Sequence, residues 1–76
     1  MNNIENLTVK LNENDNVATA LREINTGEIT QDLESKNIIP KGHKIALRKI
    51  VKGEQIIKYD QLIGIASKDI LPGEHV

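Results

Sequence analysis

Apolar and polar residues follow one another along this chain in short runs, most of which favour strands. Leu7, Val9 and Leu11 alternate with polar residues, and this period of two is typical of a half-buried strand. Residues 55–59 and 62–65 are rich in isoleucine and are also predicted as strands. Residues 12–16 contain the Asn and Asp typical of turns, and the polar residues 30–37 are predicted to form a surface connection.

One unit of sequence recurs and ends in a glycine turn. Residues 20–28 (ALREINTGE) and 46–54 (ALRKIVKGE) are identical at six of nine positions. Residues 66–74 keep the Ala, Ile, Gly and Glu, and residues 39–43 repeat the turn alone. Because glycine takes a positive φ without steric cost, each copy predicts a tight turn. We expect the glutamate after the glycine of each full copy to bond local backbone donors.

Two conformations remain open for the Ala-Leu-Arg-x-Ile segment of this unit. In the first copy, Val17, Ala20, Leu21 and Ile24 share one helical face, which favours a helical turn over residues 17–23. The third copy favours a strand, because Gly64 lies just ahead of it among strand-forming residues. If the copies share a conformation, they are strands. We therefore predict a mainly all-β fold of short strands joined by glycine turns, with the helical turn as the alternative.

Size and composition narrow the class of protein. A chain of 76 residues forms a single domain, residues 1–76, with a thin core, and it has no cysteine for a disulfide or a zinc-thiolate site. Ten basic residues are interleaved with eleven acidic ones and Tyr59 is the sole aromatic residue, which argues against a nucleic-acid partner. No apolar run has membrane-spanning length, and no export signal is recognisable, so we expect a cytoplasmic domain without a membrane partner.

A small set of residues could contribute to a binding or catalytic site. His43 lies in phase with the apolar Val17 and Ile63 of other copies, and two interpretations stay open for it: a ligand-facing imidazole, or a histidine at a strand start with one edge in water. His75 could bind a metal as a neutral imidazole, although a single histidine gives no ligand spacing and is typical of an exposed residue. Tyr59, next to Lys58, offers a phenol to a polar ligand or else closes the aliphatic core. The sequence has no nucleophile–base pair and no phosphate loop, so it cannot form an active site alone.

Several of these motifs together resemble the N-terminal SAF domain of the altronate/galactarate dehydratase family. The resemblance covers nearly the whole chain after the first few residues and is specific as a combination. The residues that carry it are IPKGHKIAL at 39–47, Gly-Glu at 53–54, Lys-Tyr at 58–59, IGIA at 63–66, DILPGEHV at 69–76 and, more loosely, DNVATALR at 15–22.

The resemblance implies a β-clip fold and a role as the N-terminal part or small subunit of a larger enzyme. That enzyme would remove water from a sugar acid, using a divalent metal, expected to be Fe²⁺, that is bound mostly by a large catalytic domain or subunit. It would be this chain's partner, together with the sugar-acid substrate, and self-association into a homo-oligomer is also open. The implied site residues are His43 as catalytic residue, Lys44, Lys58 and Tyr59 for substrate, and His75 for metal.

The sequence departs from the family pattern at one point and leaves other functions open. Asp60 stands where the family usually has glycine after Lys-Tyr, and the family's His-x-His-Asn run would begin past Val76. The small subunit of sulfolactate sulfo-lyase is also similar. A third alternative is a non-catalytic carbohydrate-binding or assembly module, because SAF domains resemble parts of antifreeze proteins, sialic-acid synthases and flagellar or pilus chaperones. A large dehydratase-like chain encoded alongside would favour the enzyme.

Overall fold

Short antiparallel strands form the domain in the computed structural model, which describes residues 7–10 and 12–76. No helix occurs among these residues, so the all-β prediction is confirmed. The strands are β1 (Thr8–Val9), β2 (Val17–Ala20), β3 (Ile29–Thr30), β4 (Leu33–Glu34), β5 (Lys44–Ala46), β6 (Gln55–Lys58) and β7 (Gln61–Ile65). The same residues include no helix with the length and hydropathy of a membrane span.

Strand β2 lies at the centre of a three-stranded antiparallel sheet with the order β1-β2-β5. Ala20 is paired with Thr8 at one end of β2, and Val17 is paired with Ala46 at the other. β3 pairs with β4, and β6 with β7, as separate two-stranded hairpins. Because β2 is buried along most of its length, both clusters of the core are built around it.

The core consists of two clusters of aliphatic side chains. Antiparallel bridges between isoleucines of different repeat copies lie inside these clusters, Ile24 with Ile39 in the first and Ile50 with Ile70 in the second. The first cluster contains Leu7, Ala18, Ala20, Ile24, Ile39 and Ile45, and the second contains Val17, Ala46, Ile50, Ala66 and Ile70. The recurrent isoleucine is therefore the residue that each turn contributes to the core.

The predicted glycine turns are confirmed. Gly27, Gly42, Gly53 and Gly73 all have positive φ, between 84° and 93°. The last three also donate their backbone N–H to the carbonyl oxygen of a repeat alanine elsewhere in the chain: Gly42 to Ala20 at 2.9 Å, Gly53 to Ala66 at 2.8 Å and Gly73 to Ala46 at 2.8 Å. The glycine and the alanine of the repeat thus bind each other across copies.

A two-residue turn joins β6 to β7, with Tyr59 at φ +55° and Asp60 at φ +60°. Positive φ at both central residues defines the hairpin turn that matches the twist of the strands, and glycine takes the second position at no steric cost. The Asp60 N–H donates to Asp15 Oδ1 at 2.7 Å. Asp60 therefore adopts a left-handed conformation, which glycine would take without steric cost. Within the hairpin, the register shifts so that Ile63 has no cross-strand partner, which makes it a bulge residue.

Asn16, which is buried, attaches this hairpin to β2. Its side-chain oxygen accepts the Ile57 N–H at 2.7 Å, and its side-chain nitrogen donates to the Gln55 carbonyl at 2.8 Å. The Asn16 backbone N–H also donates to the Ile57 carbonyl at 3.1 Å. The Asn16 side-chain amide thus makes the hydrogen bonds to β6 that the backbone of a neighbouring strand would otherwise make.

Two expectations for local structure need correction. The Ala-Leu-Arg-x-Ile segment is neither a continuous strand nor a helical turn, because the strand ends at Ala20 or Ala46 and the next residues bend to place the isoleucine in its bridge. Residues 30–37 are not simply a connection, since β4 forms within them and pairs with β3. The first predicted strand is confirmed at Thr8–Val9, while Leu11 lies outside the described residues.

Candidate functional site

The two histidines lie side by side on the surface. His43 Nδ1 is 2.9 Å from His75 Nε2, within hydrogen-bond distance, and the ring centroids are 5.1 Å apart with planes 24° from parallel, so the rings meet edge to edge through these two nitrogens. Both side chains are exposed. Residues that are 32 positions apart in the chain therefore form one pair of imidazoles that an external ligand can approach.

Backbone pairing next to β5 holds the two histidines in place. His43 directly precedes β5, and its carbonyl accepts the Ala20 N–H at 2.8 Å. His75 forms an antiparallel bridge with Ile45, next to the bond from the Val76 N–H to the Lys44 carbonyl at 3.0 Å. His43 follows the glycine of one turn, and His75 follows the glutamate of another. The pair therefore forms because these two turns lie next to each other at β5.

The turns also explain why position 43 does not need a glutamate. In the three full copies, the glutamate after the glycine accepts the backbone N–H of the residue three positions earlier, at 2.7 to 2.9 Å, as the sequence predicts; these bonds are Glu28 to Asn25, Glu54 to Val51 and Glu74 to Leu71. In the fourth turn the equivalent residue is Pro40, which has no N–H to donate. A carboxylate at position 43 would have no donor to bind, so His43 is released from the structural role that its counterparts have.

The environment of His75 favours its neutral form. Partial burial lowers the pKa of His75 below its ordinary value, and the nearby His43 lowers that pKa further. A neutral His75 accepts a hydrogen bond at Nε2 when its own hydrogen is on Nδ1. With His43 donating from Nδ1, the lone pair of His43 is on Nε2, the nitrogen on the other side of the ring.

Asn37 and Ser35 support His75 from the side of the β4 hairpin. The His75 N–H donates to Asn37 Oδ1 at 2.9 Å, and the buried Ser35 hydroxyl donates to the Asn37 carbonyl at 2.6 Å. Sequence reasoning missed both residues, because they lie in a polar segment with no motif. The sequence does place Asn37 two residues before the turn motif that contains His43, which is the only signal available.

The predicted substrate residues lie in two places. Lys44 is half-buried, directly after His43 and opposite Thr19 in the sheet. Lys58 and Tyr59 are at the β6–β7 turn, where the Lys58 Nζ is 5.0 Å from the Tyr59 ring centroid. The turn is attached at the start of β2 and the histidines at its end, so the structure does not bring Lys58 and Tyr59 together with the pair.

The described residues contain no group of three or more His, Cys, Asp or Glu side chains that could hold a metal ion. The imidazole pair supplies two nitrogen atoms of the type that Fe²⁺ and Zn²⁺ bind. A metal held by this pair would need further ligands from outside the described part of the chain.

Comparisons with known proteins agree with these motifs. Residues 6–76 match the family model described as the altronate/galactarate dehydratase SAF domain. The chain is 44% identical over 72 residues to altronate dehydratase of Bacillus subtilis (strain 168) and 40% identical over 72 residues to altronate dehydratase of Escherichia coli (strain K12). Each alignment covers 90% of this chain and 14% of the relative, so the chain spans about one seventh of the length of these enzymes.

A third relative has a different activity. The chain is 45% identical over 47 residues to (2R)-sulfolactate sulfo-lyase subunit alpha of Chromohalobacter salexigens. That alignment covers 62% of this chain and 50% of the relative. The similarity is thus shared between a part of long dehydratases and a much shorter subunit.

Proposed function

We propose that this chain, which belongs to the altronate/galactarate dehydratase SAF domain family, is the small domain or subunit of a sugar-acid hydro-lyase. The single observation that carries the proposal is the contact between His43 and His75 at 2.9 Å. Both histidines lie in motifs that carry the resemblance, and the His43 side chain lacks the backbone bond that the glutamate side chains make in the other turns. The remaining catalytic groups would come from the large region that the chain does not span in its dehydratase relatives.

The chemistry of dehydration assigns a role to each nitrogen. A base takes the proton from the carbon next to the carboxylate, the electron pair of that bond forms the double bond, and the hydroxyl of the next carbon leaves as water on receiving a proton from a general acid, which would belong to the large region. We assign the base to His43 Nε2. His75 Nε2 accepts the hydrogen on His43 Nδ1, which holds the reactive tautomer and stabilises the imidazolium that forms. The ammonium of Lys44, the next residue, would bind the substrate carboxylate.

A divalent metal, which we expect to be Fe²⁺, is compatible with the pair in a second way. When bound, it would act as a Lewis acid towards the hydroxyl that leaves. His75 would hold it through Nε2, and His43 through Nδ1, with further ligands from the large region. This arrangement uses the same lone pair of His75 that otherwise accepts the His43 hydrogen, so a proton and a metal ion exclude each other between the rings.

Nuclear magnetic resonance of the ring nitrogens separates these two arrangements. Zn²⁺, added to the chain as a probe without redox chemistry, should shift His43 Nδ1 and His75 Nε2 together if the pair binds metal. A shift that is absent at millimolar Zn²⁺, or one that survives replacement of His75 by alanine, would remove the metal role from the pair. Such a result would leave the assignment of His43 as base intact.

Turnover of the complete enzyme tests the main proposal. We expect His43→Ala to lower kcat for altronate or galactarate by about 10² to 10⁴-fold, the usual contribution of a positioned base. Lys44→Ala should chiefly raise KM, and Lys49→Ala, which removes another lysine beyond β5, serves as the matched control. Unchanged turnover of His43→Ala in the complete enzyme would refute the catalytic role. Lys58 and Tyr59 stay predictions for substrate contact at a separate part of the surface.

Sulfolactate is the second candidate substrate, because of the similarity to a sulfo-lyase subunit. That elimination also begins next to a carboxylate, but sulfite leaves in place of water. The same enzyme assayed with altronate, galactarate and (2R)-sulfolactate would discriminate the two activities. We favour the sugar acid because the dehydratase alignments cover 90% of this chain and the sulfo-lyase alignment 62%.

A further inference from the structure

The β6–β7 hairpin presents a group of exposed aliphatic side chains. Leu62, Ile63 and Ile65, all on β7, are 55%, 43% and 56% exposed. Single exposed aliphatic residues are ordinary on protein surfaces, whereas a contiguous group on one strand indicates an interaction site. On the same hairpin Ile56 packs against the core, so the exposed residues are the part of the hairpin that the domain itself does not cover.

The outer edge of β7 is also open. β6 is paired on both sides, by β7 and by Asn16, whereas β7 pairs only with β6 among the described residues. No charged residue occurs from Gln61 to Ser67, so the edge lacks the lysines and glutamates that usually prevent strand addition. The bulge at Ile63 twists this edge and hinders the regular addition of another strand, so the exposed side chains are the contact surface that β7 offers.

The lengths of the relatives indicate what covers this face. In the altronate dehydratases, the matched region is 14% of the protein, so a large region is present for the domain to contact. The sulfo-lyase relative is a subunit by name, and the match covers 50% of it, so there the domain is found in a chain that acts with another. A surface that binds the large region without a covalent link would serve both arrangements.

We infer that the exposed face of β7, formed by Leu62, Ile63 and Ile65, docks on the large catalytic region of the dehydratase. The inference rests on the proposed function and adds the surface by which the domain is held. The hairpin is attached at the start of β2 and the histidine pair at its end, so docking and catalysis use different residues. Apolar contacts from the three side chains supply the affinity.

Binding of the chain to the catalytic region, supplied as a separate polypeptide, tests this inference. Leu62→Lys and Ile65→Lys each place a charge on the face, and we expect each to weaken binding at least about tenfold, as for a central apolar contact. Ile29→Lys is the matched control, because Ile29 is 63% exposed on β3 and the chemical change is the same. Circular dichroism of each variant checks that the fold is retained.

The outcomes separate docking from the catalytic proposal. Weak binding of both β7 variants with normal binding of Ile29→Lys supports the inference, whatever His43→Ala does to turnover. Equal binding of all three variants overturns it, and so does failure of the unsubstituted chain to bind. Self-association of the chain that the β7 substitutions abolish, with binding to the catalytic region unchanged, would assign the face to a second copy instead and overturn the inference.

Discussion

Substitution of Gly73 by alanine provides a quantitative test of how the repeat turns are built. Gly73 is buried at φ +88°, and its N–H donates to Ala46 while its carbonyl accepts the Lys36 N–H, both at 2.8 Å. A Cβ at this position would contact the Glu34 carbonyl oxygen at a distance that real side chains do not reach, and would lie 3.3 Å from Lys36 Cγ. Because the nearest contact is the Glu34 backbone, it cannot move away as a flexible side chain could.

Gly53 is the matched control for this substitution. It has φ +89°, and a Cβ there would meet nothing within 4 Å. Both alanine variants have the cost of a left-handed backbone, about 1 kcal/mol. Only Gly73→Ala adds an overpacked contact, about 1–3 kcal/mol. We therefore expect the free energy of unfolding to fall by about 1 kcal/mol for Gly53→Ala and by about 3 kcal/mol for Gly73→Ala, against a total of roughly 4–11 kcal/mol for a domain of this size.

Thermal and urea unfolding followed by circular dichroism measure these differences. For a domain of this length, 1 kcal/mol corresponds to about 6 °C in Tm, so the expected decreases are about 6 °C and about 18 °C. Gly42→Ala, where a Cβ also meets nothing within 4 Å, should behave as Gly53→Ala. If Gly73→Ala and Gly53→Ala lost the same stability, the close approach of the Glu34 carbonyl would not be a constraint and the reasoning would be refuted.

Three further predictions concern the hairpin and the histidines. Asn16→Ala should lower the free energy of unfolding by about 2–4 kcal/mol, since it leaves two backbone groups of β6 without a partner. Asn14→Ala, which removes an exposed hydrogen bond of 3.1 Å, is the control. Equal losses of stability in the two variants would contradict the role of Asn16. Tyr59→Asn should raise the Tm by a few degrees, about 0.5–1 kcal/mol, since asparagine tolerates the left-handed φ of +55° better, and a lower Tm would show that the ring contributes more than the turn strain. The pKa of His75 should lie below 6.5 in a ring-proton titration, first because of burial and then because of His43, so His43→Gln should raise it only in part.

The same titration fixes the sign of the pH dependence. Because the pKa of His75 is lower in the folded chain than in the unfolded chain, the unfolded chain binds more protons between the two values. The contribution of neutral His75 to the free energy of unfolding is therefore fully present above pH 6.5, and it is lost as the pH falls through the lower pKa of the folded state. A His75→Gln variant serves as the control for all other titrating groups. If, relative to this control, the free energy of unfolding rose on acidification through this range, the assignment would be contradicted.

The turns could be predicted from the sequence because their causes are local. A positive φ favours glycine, and the carboxylate of Glu54 reaches an N–H three residues away in the same turn. The exceptional character of position 43 was also visible, since its counterparts are apolar in one register and glutamate in another. Pro40 supplies the physical reason only once the glutamate bonds of the other turns are known.

The pairing of elements could not be predicted, because it depends on partners distant in sequence. β3 and β4 are two residues each, too short for an alternating pattern, and they form because the β3–β4 turn and the neighbouring backbone fix their register. The contact of His43 with His75 depends on the bridge between Ile45 and His75, which no local pattern encodes. Asn37 becomes relevant to the site only through that bridge.

The bonds between repeat glycines and repeat alanines link the second and third copies in both directions. Gly53 binds Ala66 of the third copy, and Gly73 binds Ala46 of the second. Each of these two copies therefore supplies the hydrogen-bond acceptor for the glycine turn of the other. A peptide of either copy alone should be unstructured in water. A longer connection between the two copies should slow folding without changing the hydrogen bonds between them in the folded chain.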